Sequence, residues 1–162
     1  MGIVKADITD VDTISPLIAK FRVELKGFKG IQAVENIETA KEEFAEYIKS
    51  GYPIFTYIQN NLHLGYLVCR VDISTVWVES LFVLYEYRRN GIASKLYNAA
   101  EQFAVTLGED TLYNYVHPNN DGMISFLKSK GYNILNLIEL RKKHNGEIIN
   151  EQISIRNNTF DY

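Results

Sequence analysis

The chain has 162 residues with 17 basic and 20 acidic side chains, so its formal net charge at pH 7 is −3. Hydrophobic residues make up 46% and charged residues 23%, which is typical of a globular protein and excludes disordered and collagen-like chains. The slight acidic excess argues against nucleic acid as the main partner, because nucleic-acid-binding domains carry a basic surface. It does not argue against a small anionic ligand held at one local site.

The cysteine content and the N-terminal residues bear on compartment and domain organisation. Cys69 is the single cysteine, so no internal disulfide can form, as is usual in a reducing compartment. The first residues lack the apolar stretch of a secretory signal, and no run approaches the roughly 18 apolar residues of a membrane helix. We therefore expect a cytoplasmic protein without a membrane partner. No linker composition interrupts the chain, which predicts one domain over residues 1–156 and an unstructured tail over 157–162.

Hydrophobic periodicity predicts the elements of the first half of the chain. A strand over residues 2–8 precedes a helix over 10–26, and a second helix runs from 37 to 49. Three strands follow at 53–59, 62–71 and 75–83, with a turn at Asn60–Asn61 between the first two. The short links between these strands predict an antiparallel meander.

The second half begins with a largely polar connection over 84–90, followed by a helix over 91–107 and a strand over 111–116. This strand–helix–strand unit has the length of a crossover connection, so strands 75–83 and 111–116 should be parallel. A short helix over 119–130 comes next, and strands over 132–142 and 147–155 should pair across Asn145-Gly146. The elements predict an α/β (α+β) domain with about four helices and a mostly antiparallel sheet containing one parallel pair.

The most informative segment joins strand 75–83 to helix 91–107 and reads Arg88-Arg89-Asn90-Gly91-Ile92-Ala93-Ser94. The first N–H groups of a helix have no partner and carry partial positive charge. Gly91 and Ala93 let a ligand approach the backbone closely, and the two arginines add planar donors suited to phosphate. The segment therefore predicts an anion site, best suited to a pyrophosphate. It matches neither the P-loop nor the dinucleotide fingerprint.

This segment resembles the acetyl-CoA-binding motif of the GNAT N-acetyltransferase superfamily, Arg/Gln-x-x-Gly-x-Gly/Ala, in which Arg88, Gly91 and Ala93 match. The downstream segment over 116–132 is similar to the second signature of that family, an Asn that opens a short helix. The matching positions there are Asn120, Phe126, Leu127, Gly131 and Tyr132. The resemblance covers about residues 75 to 140.

The resemblance implies an acyltransferase with acetyl-CoA as its co-substrate. A primary amine would attack the thioester directly in a ternary complex. The pyrophosphate would lie on the backbone amides of residues 88–94. The pantetheine arm would pair like an extra strand with the Phe82–Val83 edge, where the parallel strands of the family splay apart. A backbone N–H near Val83 would polarise the thioester carbonyl, and Asn120 would bond the pantetheine arm. No metal is expected, because the three histidines match no metal-ligand spacing.

The implied reaction needs a group that accepts a proton. A lysine-like amine has a pKa near 10.4, so its deprotonation at pH 7 costs roughly 4–5 kcal/mol and a base is useful. Glu79, Leu81 and Val83 alternate along one strand, so Glu79 shares the face of Val83 unless a bulge intervenes. Glu79 is therefore the candidate base, and a cross-strand ion pair is its alternative role.

Two positions depart from the family pattern. Leu127 stands where the family usually has the Tyr that protonates the leaving thiolate, and Asn114 stands where an apolar residue is usual. Tyr115 is the first substitute for the missing acid, and Tyr113 or water are the others. Asn120 is also a plausible N-cap for the helix that follows it.

These departures leave two further functions open. One is a non-catalytic acyl-CoA-binding or regulatory domain of the same fold, and the other is an interaction module without affinity for CoA. The acceptor stays open between a small amine, a peptide N-terminus and a lysine. Homodimerisation through the C-terminal hairpin or the sheet edge is also compatible with the sequence.

Overall fold

The computed structural model describes all 162 residues. Four helices and seven strands occur in the order β1 (Gly2–Lys5), α1 (Val11–Phe28), α2 (Ile37–Lys49), β2 (Ile54–Gln59), β3 (Leu62–Asp72), β4 (Thr75–Val83), α3 (Ile92–Thr106), β5 (Tyr113–Asn114), α4 (Asp121–Ser129), β6 (Gln152–Ile155) and β7 (Asn158–Asp161). The predicted bounds of α2 and β4 are confirmed to the residue. No helix combines the length and the apolar character that crossing a membrane requires.

The chain divides into two compact units, residues 1–126 and 127–162. The first unit contains a five-stranded sheet in the order β1-β2-β3-β4-β5, and the second contains the two-stranded sheet β6-β7. Strands β1 to β4 pair antiparallel, whereas β4 and β5 pair parallel. The predicted fold class, with its antiparallel meander and single parallel pair, is confirmed. The predicted domain boundary at residue 156 stays a prediction.

Helices cover both faces of the five-stranded sheet. Helices α1 and α2 pack on one face, where an apolar cluster contains Ile14, Ile18, Phe44, Ile54, Tyr66, Val68 and Phe82. Helix α3 covers the other face, with Phe103 against Phe55 and the ammonium of Lys95 over the ring of Tyr57. Alternate residues of β4 therefore point towards different helices.

The parallel pair β4–β5 is short and opens at one end. Only Trp77 with Tyr113 and Val78 with Asn114 pair across it. Beyond this point β4 continues to Val83, whereas the strand predicted over 111–116 has no further pairing. The edge of β4 from Glu79 onwards is therefore left without a neighbouring strand, as the splayed parallel pair of the sequence analysis requires.

A β-bulge interrupts the pairing of β3 and β4 at Glu79. Val68 pairs with Ser80 and Cys69 with Val78, so Glu79 is the extra residue. A bulge shifts the alternation of side chains along its strand. The Glu79 carboxylate lies 3.7 Å from Nε of Arg70, which is on the face of Val68 and not on that of Val83. The expectation that Glu79 shares the face of Val83 is thus corrected.

The second unit corrects the predicted hairpin over residues 132–155. The turn at Asn145-Gly146 forms, and Arg141 pairs with Glu147 across it at 2.6 Å. The flanking residues form no strands before Gln152. The exposed apolar residues before the turn are Ile134, Leu135, Leu137, Ile138 and Leu140. Four of these five residues come as two adjacent pairs, so the set does not alternate and builds no apolar sheet face. A hairpin without such a face is marginal.

The end of the chain has structure that the sequence analysis missed. Strand β6 turns at Arg156, which has φ 56°, and pairs with β7 inside the segment expected to be an unstructured tail. Cross-strand hydrogen bonds join Ser154 to Thr159 at 3.1 Å and Gln152 to Asp161 at 3.0 Å. The correct hairpin therefore lies one turn further along the chain than predicted.

A glycine of β3 lies directly against the open end of β4. A Cβ added to Gly65 would lie 2.7 Å from the backbone oxygen of Phe82, so Gly65→Ala must displace β4. We expect a loss of about 1–3 kcal/mol in the free energy of unfolding, measured by urea denaturation. The control is Gly27→Ala in α1, where a Cβ meets nothing within 4 Å and the helix should gain about 0.5–1 kcal/mol. Equal effects of the two substitutions would contradict the close approach.

Candidate functional site

The N-terminus of α3 lacks a capping side chain. Its N-cap residue is Gly91, which has a left-handed backbone with φ 75°. The first intrahelical bond runs from the N–H of Lys95 to the carbonyl of Gly91 at 3.1 Å. The amides of Ile92, Ala93 and Ser94 therefore have no acceptor within the helix. They leave a positive partial charge at a helix end that no side chain of the protein neutralises.

The loop before α3 is shaped to present more N–H groups. Arg89 has φ 65°, so two left-handed residues occur within three positions. Alternation of this kind turns successive backbone N–H groups towards one point and makes an anion-binding concavity. The side-chain amide of Asn90 lies 3.3 Å from the carbonyls of Tyr87 and Arg88, which holds the loop in shape. Arg89 is exposed and forms no ion pair, so its charge remains available to an anion.

Arg88 has a different role from the one its position in the motif predicts. Its guanidinium donates to both carboxylate oxygens of Glu24 on α1, at 3.0 and 2.6 Å, and its Nε donates to the carbonyl of Val83 at 2.9 Å. The same group lies over the rings of Phe82 and Tyr85. The Arg88 side chain is thus a clamp between α1 and the end of β4, and its predicted contact with phosphate stays a prediction that only the remaining N–H groups of the guanidinium could make.

The open edge of β4 presents one free donor at Val83. The N–H of Leu84 donates to Leu64 on β3 at 2.9 Å, and the carbonyl of Phe82 is directed at Gly65. Backbone groups alternate along an antiparallel strand, so the N–H and C=O of Val83 point to the opposite, unpaired edge. The Val83 carbonyl accepts a hydrogen bond from Nε of Arg88. The Val83 N–H is therefore directed into the opening between β4 and β5.

The two predicted catalytic residues, Glu79 and Tyr115, lie around Trp77. The Tyr115 ring stacks on Trp77 at 4.7 Å between centroids with 8° between planes, although Tyr115 is 64% exposed. The guanidinium of Arg70 lies over Trp77 at 5.4 Å and within 3.7 Å of the Glu79 carboxylate. The two candidates thus do not touch, and Arg70 and Trp77 link them at the point where β4 and β5 part.

The asparagines of the second signature have defined partners. The Asn120 side-chain oxygen accepts from the N–H of Met123 at 3.0 Å, so Asn120 caps α4. Its side-chain N–H groups keep their capacity to donate. Asn114 donates to the hydroxyl of Tyr97 at 2.8 Å, which explains a polar residue at this position because Tyr97 is fully buried.

A buried polar network on the other side of β4 was missed by the sequence analysis. Arg22 donates to Glu43 and, at 3.0 Å, to the hydroxyl oxygen of Tyr47, and the Tyr47 hydroxyl donates to Glu43. The hydroxyls of Tyr47 and Ser80 lie 3.3 Å apart. Burial is the main cause that raises the pKa of Tyr47 well above its usual value, and the hydrogen bond to Glu43 raises it further. The available signals were the Glu43–Tyr47 spacing of four residues on α2 and the two polar residues Glu79 and Ser80 within the apolar sequence of β4.

Because only Arg88 forms the clamp, Arg88 and Arg89 should contribute unequally to the free energy of unfolding. Arg88→Ala removes the bonds to Glu24 and Val83, and we expect a loss of about 1–2 kcal/mol in the free energy of unfolding. The value is at the low end because the two side chains are 34% and 36% exposed. Arg89→Ala, the matched control, should change it by less than about 0.5 kcal/mol. Urea denaturation of both variants measures the difference, and equal losses would contradict the clamp.

Comparison with known proteins gives matches in sequence. Residues 23–132 match the model of the acetyltransferase (GNAT) family. A stretch of 85 residues, 49% of this chain, is 31% identical to the Probable N-acetyltransferase san of Drosophila melanogaster, and the match spans 46% of that protein's length. The family match includes β4, α3 and the Asn120 region, and so contains the whole site described above.

Solved structures share the fold at low sequence identity. The aminoglycoside 6'-N-acetyltransferase AAC(6')-IG from Acinetobacter haemolyticus has a TM-score of 0.68 at 15% identity, with 90% of this chain and 100% of that chain covered. The aminoglycoside N-acetyltransferase AAC(6')-Iy in complex with CoA has a TM-score of 0.70 at 15% identity, with 87% and 93% covered. The open β4 edge, the uncapped α3 and the family match agree, and the chain belongs to the acetyltransferase (GNAT) family.

Proposed function

We propose that the protein transfers an acetyl group from acetyl-CoA to a primary amine. The observation that carries this proposal is the unpaired edge of β4 beside the uncapped N-terminus of α3. An unpaired strand edge can take an extended amide-containing chain, and a helix N-terminus can take a pyrophosphate. Acetyl-CoA contains both groups in one molecule. The family match and the CoA complex of AAC(6')-Iy support this co-substrate.

The proposed cofactor contacts follow from the free donors of the site. The amides from Arg89 to Ser94, with the exposed Arg89 side chain, hold the pyrophosphate. The edge at Phe82 and Val83 pairs with the pantetheine arm, and the side-chain N–H groups of Asn120 donate to it. Arg88 holds β4 in place and keeps guanidinium N–H groups that could still reach phosphate. The residues proposed to contact the cofactor are Phe82, Val83, Arg88, Arg89, Asn90, Gly91, Ile92, Ala93, Ser94 and Asn120.

The proposed chemistry is a direct transfer within a ternary complex. The neutral amine nitrogen attacks the thioester carbon, the C–S bond breaks, and the CoA thiolate leaves. The Val83 N–H stabilises the oxyanion that develops on the carbonyl oxygen. Glu79 remains the proposed proton acceptor, with its carboxylate beside Arg70, and Tyr115 the proposed donor to the thiolate. A thiolate with a pKa near 8.5 needs that donor only modestly.

We also propose a cytoplasmic location and a homodimeric assembly. The single cysteine is fully buried, and burial raises the pKa of its thiol to about 12, so it is suited to a reducing cytoplasm as an inert packed residue. Homodimerisation is compatible with the unpaired outer edge of β5. Light scattering of the purified protein would measure the oligomeric state.

The cofactor site is tested by thermal unfolding with and without acetyl-CoA. A ligand that binds only the native state adds about 2.7 kcal/mol at 100 times its dissociation constant. We expect this stabilisation in the wild type and its loss in Gly91→Glu, which puts a carboxylate among the free amides. Gly108→Glu at the other end of α3 is the matched control, since Gly108 also has positive φ, 83°, and open space. No stabilisation of the wild type at millimolar acetyl-CoA would contradict the proposal.

Catalysis is tested by release of the CoA thiol in the presence of amines. The panel comprises spermidine, kanamycin, a peptide with a free N-terminus and an N-terminally blocked lysine peptide. We expect thiol release with at least one amine, and a loss of about 100-fold in kcat for Glu79→Gln if Glu79 accepts the proton. The control is Glu86→Gln, which removes an exposed carboxylate in the loop between β4 and α3. Acetyl-CoA binding without thiol release would favour the non-catalytic alternative that Leu127 suggests.

A further inference from the structure

A row of polar side chains crosses the apolar layer between α2 and β4. It begins at Ser80, which is 2% exposed, passes through Tyr47, which is 6% exposed, and ends at Glu43, whose side chain is 20% exposed. The Ser80 and Tyr47 oxygens lie 3.3 Å apart, and the Tyr47 hydroxyl bonds directly to the Glu43 carboxylate. The row thus connects the buried face of β4 to a carboxylate that water can reach.

The hydrogen bonds of this row have one direction. Arg22 can only donate, and it donates to the Tyr47 oxygen at 3.0 Å and to Glu43. The single proton of the Tyr47 hydroxyl is therefore directed at the carboxylate, and Tyr47 accepts the proton of Ser80. Each hydroxyl donates to the next group along the row. This order of donors is what transfer of a proton from Ser80 towards Glu43 requires.

The inner end of the row lies beside the reacting centre of the proposed function. Ser80 directly follows Glu79, the bulge residue, and precedes the open edge at Phe82 and Val83. Tyr66 lies on the same sheet face as Ser80 and is fully buried, and its hydroxyl has no hydrogen-bond partner within 3.5 Å, although Ser80 lies near enough to oppose the rise that burial causes in the Tyr66 pKa. A buried hydroxyl without a partner is costly, so it marks a position that a polar ligand or water would satisfy.

We propose that Ser80, Tyr47 and Glu43 form a proton relay that removes the proton of the acceptor amine and delivers it to Glu43. The relay rests on the proposed acetyltransferase function and adds to it Ser80, which takes the proton of the amine, and Tyr47 and Glu43, which act through Ser80. The amine reaches the Ser80 oxygen directly or across one water molecule, on the side where the Tyr66 hydroxyl is left unpaired. Arg22 orients the relay and is not part of it.

The transfer balances in atoms and charge. The ammonium N–H bond breaks and its proton bonds to the Ser80 oxygen, the Ser80 proton moves to Tyr47, and the Tyr47 proton moves to Glu43. The products are a neutral amine with a free electron pair and a protonated Glu43. The two hydroxyls finish neutral, and Glu43 later releases the proton to water. No oxidant, reductant or further co-reactant is needed.

The charged and titratable groups around Glu43 come from each element packed against it. Arg22 of α1 pairs with it, Tyr47 of α2 donates to it, and Tyr66 of β3 is electrostatically coupled to it. Ser80 reaches it only through Tyr47. Glu79 is separate, because its carboxylate contacts Arg70 and is 32% exposed. The relay and Glu79 are thus two distinct candidates for the proton-accepting function, and the same measurement distinguishes them.

The test is the pH dependence of kcat at saturating acetyl-CoA and the best amine of the panel. In the wild type, kcat should level off well below the pKa of the amine, because the relay removes the proton. In Tyr47→Phe and Glu43→Gln only amines that are already neutral react. We therefore expect kcat about 100-fold lower at pH 7 and rising with pH towards the wild-type value near the amine pKa. Ser80→Ala should behave in the same way.

Matched controls separate the relay from a structural defect. Tyr52→Phe removes a hydroxyl from a ring 6.3 Å from Tyr47, and Glu42→Gln removes the exposed carboxylate next to Glu43. Both should keep the wild-type profile. Thermal unfolding with acetyl-CoA confirms that each variant is folded and binds the cofactor.

The outcomes are distinct. A uniform loss of kcat at every pH in Tyr47→Phe and Glu43→Gln would overturn the relay and leave the proposed function intact. The same uniform result, with the pH-dependent loss found only in Glu79→Gln, would assign the proton to Glu79 alone. A wild type that releases no thiol with any amine would overturn the proposed function and the relay together.

Discussion

The site depends on how the open end of β4 is held. A strand edge without a neighbour exposes backbone groups that must find partners, and such edges are usually covered or blunted. Here Arg88 donates to the Val83 carbonyl at 2.9 Å and ties it to Glu24 of α1. One backbone acceptor is satisfied and the adjacent N–H stays free. The end of β4 is therefore tied to α1, and its edge keeps a donor that a ligand could use.

The bulge at Glu79 determines which face of the sheet the side chains of Glu79 and Ser80 point to. Without it, Glu79 would point towards α3, the helix whose N-terminus is proposed to hold the cofactor. With the extra residue, both Glu79 and Ser80 are directed to the face covered by α1 and α2. The proposed ligand binding at the edge and the proposed proton transfer on this face are thus separated by the thickness of one strand. The amine and the cofactor can then approach the same point from different sides.

The sequence predicted the features that depend on neighbouring residues in the chain. The bounds of α2 and β4 followed from periodicity, and the parallel pairing of β4 and β5 followed from the length of the connection between them. The partner of Arg88 lies 64 residues away, so no motif could reveal that its side chain is occupied. The Asn145-Gly146 turn was correct, but its flanking apolar residues do not alternate. The relay joins α2 to β4, and contacts between distant elements leave little trace in one sequence.

Helix α1 connects the two halves of the site. Arg22 and Glu24 are two residues apart, so they point to different sides of the helix. Arg22 orients the Tyr47–Glu43 pair, whereas Glu24 holds Arg88 at the base of the loop before α3. A shift of α1 would loosen both the clamp on β4 and the order of donors in the polar row. Because both features depend on one helix, the geometry of the β4 edge and the direction of the proposed proton transfer are fixed together.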